Sequence, residues 1–250
     1  MNSDGDYVYD VALVFSHQIY GPFFCANTSP GLFDDVTKEM FASRIVLTTG
    51  IGENLLANNK FHGPIETVEL KDKGLNLFSL IFPYRILIER EEQSGIGTIH
   101  RILIFVLQFR EEQKSVILEN MSFLEQQLRK FMAKQDLSFL ESDQPDCDKK
   151  GKEFLNLLKD RINHVISLRL RGKEMGGTLF HLGNLPNISE QHKPIVGVLI
   201  MNPNGIKYSD LINNLPNLTE KQLNEFLEEL ELMGFISVEQ ESDDRLIIPH

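Results

Sequence analysis

The stretch ILIFVLQF at residues 102–109 decides the fold, because seven of its eight residues are apolar and they do not alternate with polar ones. That pattern belongs to a strand buried on both faces. Immediately downstream, Ile117, Met121, Leu124, Leu128 and Phe131 recur at steps of four, three, four and three within residues 114–135. This is one long amphipathic helix, too short in heptads for a coiled coil and suited to packing on a sheet. Upstream, YDVALVFS at 9–16 is rich in β-branched and aromatic residues, Gly21-Pro22 marks a turn, and residues 23–26 begin a return strand. Ser29 as cap and Pro30 in the first turn predict a helix to about Leu47, with Phe33, Val36, Met40, Phe41 and Ile45 on a single apolar face. Residues 65–70, the turn KDKG at 71–74, and residues 75–82 read as a second hairpin, and the charged, glycine-containing stretch 89–97 reads as a loop. The predicted order is β-β-α-β-β-β-α: an α+β fold whose first domain, residues 1–135, is a five-stranded, mainly antiparallel sheet with flanking helices.

The remainder reads as a linker with an amphipathic helix (136–185) and a small domain (186–250). Residues 136–150 are polar, with a proline and clustered charge. Asp143, Asp146 and Asp148 lack the spacing and closing Glu of a calcium loop, which leaves a solvated linker as the simpler reading and no metal site. The helix 151–171 buries Phe154, Leu155, Leu158, Ile162, Val165 and Ile166, and residues 149–174 carry eight Lys and Arg against three acids, or +5. Two explanations stay open for that charge: docking on an acidic neighbour within the chain, or a patch for an acidic partner or membrane. The last segment fits a winged helix: a helix near 191–201, a stop at Asn202-Pro203-Asn204-Gly205, a helix near 208–215, a third helix capped by the T-x-x-Q pair Thr219 and Gln222, then strands at 235–239 and 246–248 around a short wing, 241–244. That third helix presents Glu220, Glu225, Glu228, Glu229 and Glu231 against the single cation Lys221. In a DNA-reading winged helix this element lies between rows of phosphates, where affinity comes from Lys and Arg. With four cations against eleven acids, or 4 − 11 = −7, residues 186–250 argue for protein binding and against nucleic acid.

Bulk properties point the same way. The chain of 250 residues is long enough for two cores, and its net charge of −11 discourages contact with nucleic acid or anionic lipid. The two cysteines, Cys25 and Cys147, have no CxxC spacing, so a disulfide scaffold is not expected, Cys25 reads as a small buried hydrophobe, and a reducing cytoplasm is the natural compartment. The start MNSDGDYVYD lacks the features of a signal peptide, which makes the four sequons at Asn27, Asn120, Asn187 and Asn217 coincidental. No phosphate loop, zinc-protease helix, nucleophile elbow or dinucleotide fingerprint occurs, and Gly172-Lys173 is followed by Glu174 where a phosphate loop needs Ser or Thr. The seven histidines, His164 among them, make no metal-binding pair, and no cofactor is implied.

Four stretches carry a resemblance: VALVFSHQIYGPFF near the start, LFDDVTKEM in the first helix, FPYRILIE at 82–89 and IHRILIFVLQF at 99–109. Together with the element order, which opens on a hairpin where the related roadblock fold opens on a helix, they resemble a longin domain. More narrowly, the chain is similar to the nitrogen-permease-regulator 2-like subunits of the GATOR complex, with folliculin more distant. The resemblance implies a regulator that binds a Rag- or Arf-like small GTPase, or another longin or roadblock protein, as a homo- or heterodimer. It also gives Arg101 a role. The family's arginine finger stands at the entry to the last apolar strand after a polar loop, and Arg101 matches it, with Gly95-Ile96-Gly97 supplying mobility. A guanidinium inserted there neutralises charge on the transferring phosphoryl group, worth about 10³–10⁵ in rate. A solvated arginine at a strand end is the simpler alternative. Arg85 and Arg90 flank the same loop and could substitute, and His100 adjoins it. A competing class is a winged-helix transcription regulator with an N-terminal sensing domain, using the basic helix for phosphate contacts. A peripheral membrane adaptor is a third class, without a lipidation motif to support it.

Overall fold

The computed structural model describes residues 6–17, 21–49, 60–92, 95–140, 147–174, 190–241 and 244–250, with backbone alone at 16–17, 87–92, 95–101, 148, 174 and 241. The chain divides into two compact units, residues 1–164 and 165–250, and the boundary falls inside a helix.

In the first unit, β1 (Asp10–His17), β2 (Gly21–Asn27), β3 (His62–Glu66), β4 (Leu77–Glu92) and β5 (Gly95–Arg110) form one sheet in the order β2-β1-β5-β4-β3. Each pairing is antiparallel. The expected apolar run lies on β5, the central strand, and both of its faces are covered. Ile104 and Val106 join Ala12, Val14 and Ile81 beneath Phe41 and Ile45 of α1 (Asp35–Thr48). On alternate residues Phe105 meets Phe154 of α4 (Lys152–Glu174) at a ring separation of 5.9 Å, and Phe154 in turn meets Phe131 of α3 (Met121–Met132).

Several local readings are corrected. Helix α1 starts five residues later than Pro30 suggests, because Gly31 sits at φ +74° and the effective cap is Asp34, which accepts from the Thr37 N–H at 2.8 Å. Its apolar residues do not share a face. Phe41, Ala42, Ile45 and Val46 are buried, whereas Val36, Met40 and Leu47 point outward, 60–76% exposed. Residues 68–73 form a 3₁₀ turn instead of a strand: it buries Leu70 and closes on Gly74 at φ +71°. The single helix expected over 114–135 breaks into α2 (Lys114–Glu119) and α3 at buried Asn120, whose Nδ2 donates to the Val116 carbonyl at 2.7 Å and displaces a backbone partner. The stretch 89–97 is strand, not loop, apart from 93–94, which lie outside the described residues together with Asp143, Asp146 and Asn187.

The cysteine reading is also overturned. Cys25 on β2 and Cys147 form a disulfide with Cα atoms 5.1 Å apart, across 122 residues of sequence, a separation no local spacing rule detects. Cys25 is therefore neither free nor fully buried. Nor does the first half of α4 stand apart as a linker. Asn163 Oδ1 accepts from the backbone N–H groups of Tyr7 and Val8 at 3.0 and 2.9 Å, and Lys159 donates to the Tyr9 carbonyl at 2.9 Å.

The second unit holds the end of α4, then α5 (Lys193–Met201), β6 (Ile206–Lys207), α6 (Tyr208–Asn214), α7 (Glu220–Met233), β7 (Ile236–Glu241) and β8 (Asp244–Pro249). Its three strands lie in the order β6-β8-β7, and Leu199, Leu211, Leu223, Leu227, Phe235 and Ile247 fill the core. The expected capping box is present at Thr219 and Gln222. The short β6 is a strand that the residue pattern did not reveal. Gly172 has a packing role: a Cβ there would stand 2.1 Å from the Met233 carbonyl oxygen, so only glycine lets α4 approach the end of α7.

Two outcomes follow from this packing. Gly172→Ala forces backbone apart and should destabilise the protein by about 1–3 kcal/mol in a denaturant melt, and an unchanged midpoint would remove the close approach. His192, at the start of α5, packs edge-on against Phe226 with its Nε2 3.0 Å from a Glu229 carboxylate oxygen. Burial holds its pKa below the ordinary 6.5, against the opposing pull of Glu229. The fold thus binds this proton less readily than the unfolded chain, so the stabilisation is complete above pH 6.5 and is lost as pH falls toward the depressed folded value. His192→Phe should flatten that decline in melts recorded between about pH 7.5 and 5.

Candidate functional site

Strands β4 and β5 pair along their whole length, from Leu77 with Arg110 to Glu92 with Gly95. Their neighbours stop far sooner. Strand β1 pairs with β5 no further than Phe15 with Leu103, and β3 with β4 no further than His62 with Ile81. From Arg85 and Ile102 outward, the hairpin is a two-stranded ribbon without a flanking strand among the described residues. Eight residues on each strand at about 3.3 Å per residue give an arm on the order of 25 Å long. Such a ribbon is marginal in water by itself and gains stability from a surface laid against it.

The arm carries all four residues singled out in the sequence. Arg85 pairs with Ile102, Arg101 with Ile86, His100 with Leu87 and Arg90 with Gly97. Arg101 therefore occupies a paired rung within β5, not the end of a mobile loop as its sequence setting suggests. Rung parity sorts the arm into two sets. One contains Ile86, Ile88, Arg90, Glu92, Gly95, Gly97, Ile99 and Arg101; the other contains Arg85, Leu87, Glu89, Glu91, Ile96, Thr98, His100 and Ile102. The first set combines three isoleucines with two arginines, and its one acid, Glu92, stands at the tip rung. Of the four singled-out side chains only that of Arg85 is described, and it is exposed.

Both edges of the sheet are less available than the arm. Strand β3 includes Pro64, which has no N–H to donate, and its register shifts between His62 and Ile65. Strand β2 has the turn Cys147–Gly151 against it and the disulfide joining them.

Helix α7 of the second unit remains acidic in three dimensions. Glu220, Glu225 and Glu228 are exposed, and its cation Lys221 lies 3.8 Å from Glu225. The other cations of the unit's last sixty residues are engaged or flanked by acids. Lys193 pairs with Glu190, Lys207 lies near enough to Asp244 to lower its pKa, and Arg245 lies over the Tyr208 ring at 3.8 Å while donating to Asn224 at 2.9 Å. Wing residues Ser242 and Asp243 lie outside the described residues. Among the described residues there is no metal-ligating cluster and no helix long and apolar enough to cross a membrane. Comparison with protein-family models, curated proteins and solved structures finds no match for the chain.

Because phosphate affinity depends on released counterions, the full chain should pass through a heparin or duplex-DNA column without salt-sensitive retention. Retention eluting at a few hundred millimolar salt would restore the nucleic-acid class.

Proposed function

We propose that the protein is a regulator or scaffold for a Rag- or Arf-like small GTPase or for another longin protein, acting in the cytoplasm, and that the β4–β5 arm makes the contact. The observation that carries this reading is the arm itself: a ribbon projecting beyond the sheet, with Arg90 and Arg101 at rungs of the same parity as Ile86, Ile88 and Ile99. Apolar residues framed by arginines suit a partly apolar partner that presents anionic groups. The strand order β2-β1-β5-β4-β3, opening on a hairpin, supports a longin-like first unit. In the second unit, the succession of three helices and three strands with the order β6-β8-β7 supports a winged helix serving as an assembly module.

On this reading Arg101 is the arginine finger, delivered by a strand. The β-ladder holds the backbone from which Arg101 extends, so part of the positioning would precede the partner's arrival. The proline-containing edge and the disulfide-tied edge disfavour strand addition, which leaves the arm as the contact for a homo- or heterodimeric longin partner as well.

Single-turnover GTP hydrolysis by Rag- and Arf-type GTPases, with and without the protein, tests the proposal. Acceleration on the order of 10³-fold or more that is lost in Arg101→Ala is expected of a finger. Binding that survives Arg101→Ala without acceleration leaves a scaffold, and neither binding nor acceleration removes the GTPase from consideration.

A further inference from the structure

We propose that Cys25 and Cys147 form a reversible thiol–disulfide switch that clamps the lead-in to α4 over the outer edge of β2. The inference goes beyond the GTPase reading and needs no partner protein. Three observations carry it. First, the only two cysteines of the chain, 122 residues apart in sequence, meet in one bond. Second, both residues are half-buried and neither is among the fully buried core residues, so the bond lies near the surface and not inside the core. Third, the elements on either side of the bond are anchored without it. Strand β2 pairs with β1 from Ala12 and Asn27 to His17 and Gly21. Helix α4 is held by Phe154 among Phe105, Phe131 and Phe139, and by Asn163 at the Tyr7 and Val8 amides. Opening the bond therefore removes the covalent tie between β2 and the turn Cys147–Gly151, which lies against it, and leaves these core anchors in place. What it uncovers is a row of backbone N–H and carbonyl groups on an edge strand, available to pair with another chain.

The chemistry balances with glutathione as reductant. One glutathione thiolate attacks a sulfur of the bond, forming a mixed disulfide and releasing the other cysteine as thiolate. A second glutathione thiolate then attacks the glutathione sulfur of the mixed disulfide, releasing the remaining cysteine and oxidised glutathione. The two protons of the glutathione thiols end on Cys25 and Cys147, so one disulfide is reduced and two thiols are oxidised.

The test uses the full chain in a series of reduced-to-oxidised glutathione ratios. Intact mass after alkylation counts thiols, and amide hydrogen exchange is read by peptide. Two thiols should appear together within the series. Peptides covering 21–27 and 147–151 should then exchange roughly tenfold faster or more, while those from 103–109 and 154–163 stay protected. The double variant Cys25→Ser, Cys147→Ser should match the reduced protein under every ratio and melt cooperatively. A bond that survives the most reducing mixture, two free thiols in air-oxidised protein, or reduction that deprotects the whole first unit would each overturn the switch.

Discussion

Burial of β5 on both faces and both edges is the constraint from which the first unit follows. A strand whose Ile104 and Val106 are as inaccessible as its Phe105 and Leu107 needs cover on each side of the sheet. Helix α1 supplies one cover with Phe41 and Ile45, and α3 and α4 supply the other through Phe131 and Phe154. The same strand also overruns its neighbours: β5 has sixteen residues, but β1 accompanies it only through Leu103. Core and arm are thus two stretches of one ladder. The inner stretch is fixed by packing, and along the outer stretch β4 and β5 pair with each other and with no third strand among the described residues.

A polar seam crosses that core and must be satisfied internally. Asp10, Gln108 and Ser79 stand on directly paired rungs of β1, β5 and β4, and all three are fully buried. Burial raises the pKa of the Asp10 carboxyl, while donors from the segment after β2 oppose the rise: Thr28 Oγ1 at 2.7 Å, the Ser29 amide at 2.6 Å and Asn27 Nδ2 at 3.3 Å. Ser79 shares a 2.7 Å hydrogen bond with Thr67, which also accepts from Gln108 Nε2. The cost of placing a carboxyl in the sheet is offset by the order it imposes on residues 27–29, which set the approach to α1. The Asn27 amide nitrogen donates to Asp10 and to the Ser29 carbonyl, and that of Asn120 to the Val116 carbonyl.

Legibility in the sequence tracked how local each cause was. The central strand, the five strands of the first unit, the capping box and the charge of α7 depend on residues within a few positions of one another, and each stands in the structure. The arm was hidden because Glu89, Arg90, Glu91 and Glu92 resemble a loop until their rungs are matched to Gly95, Ile96, Gly97 and Thr98. Cross-strand pairing is what stabilises such a segment, and it is not written in either strand alone. Helix α1 misled by carrying apolar residues on opposite faces, so Val36 and Met40 looked like core when the core needed only Phe41, Ala42, Ile45 and Val46. The Cys25–Cys147 bond and the contact of Gly172 with Met233 are longer-range still.

The ladder also limits which arginine can serve a phosphoryl group. Arg101 pairs with Ile86 and Arg90 pairs with Gly97, four rungs further out, or about 13 Å at 3.3 Å per residue. Arg85 is one rung from Arg101 but of opposite parity. The three could look interchangeable if they flanked a loop, because a loop can bring any of them to one point. On a paired ribbon their backbone positions hold fixed separations. Arg101 is the innermost member of its set, closest to the rigid sheet, where positional error is smallest. Arg90 lies toward the tip, and on the proposed reading its charge would serve attraction of an anionic surface better than transition-state contact.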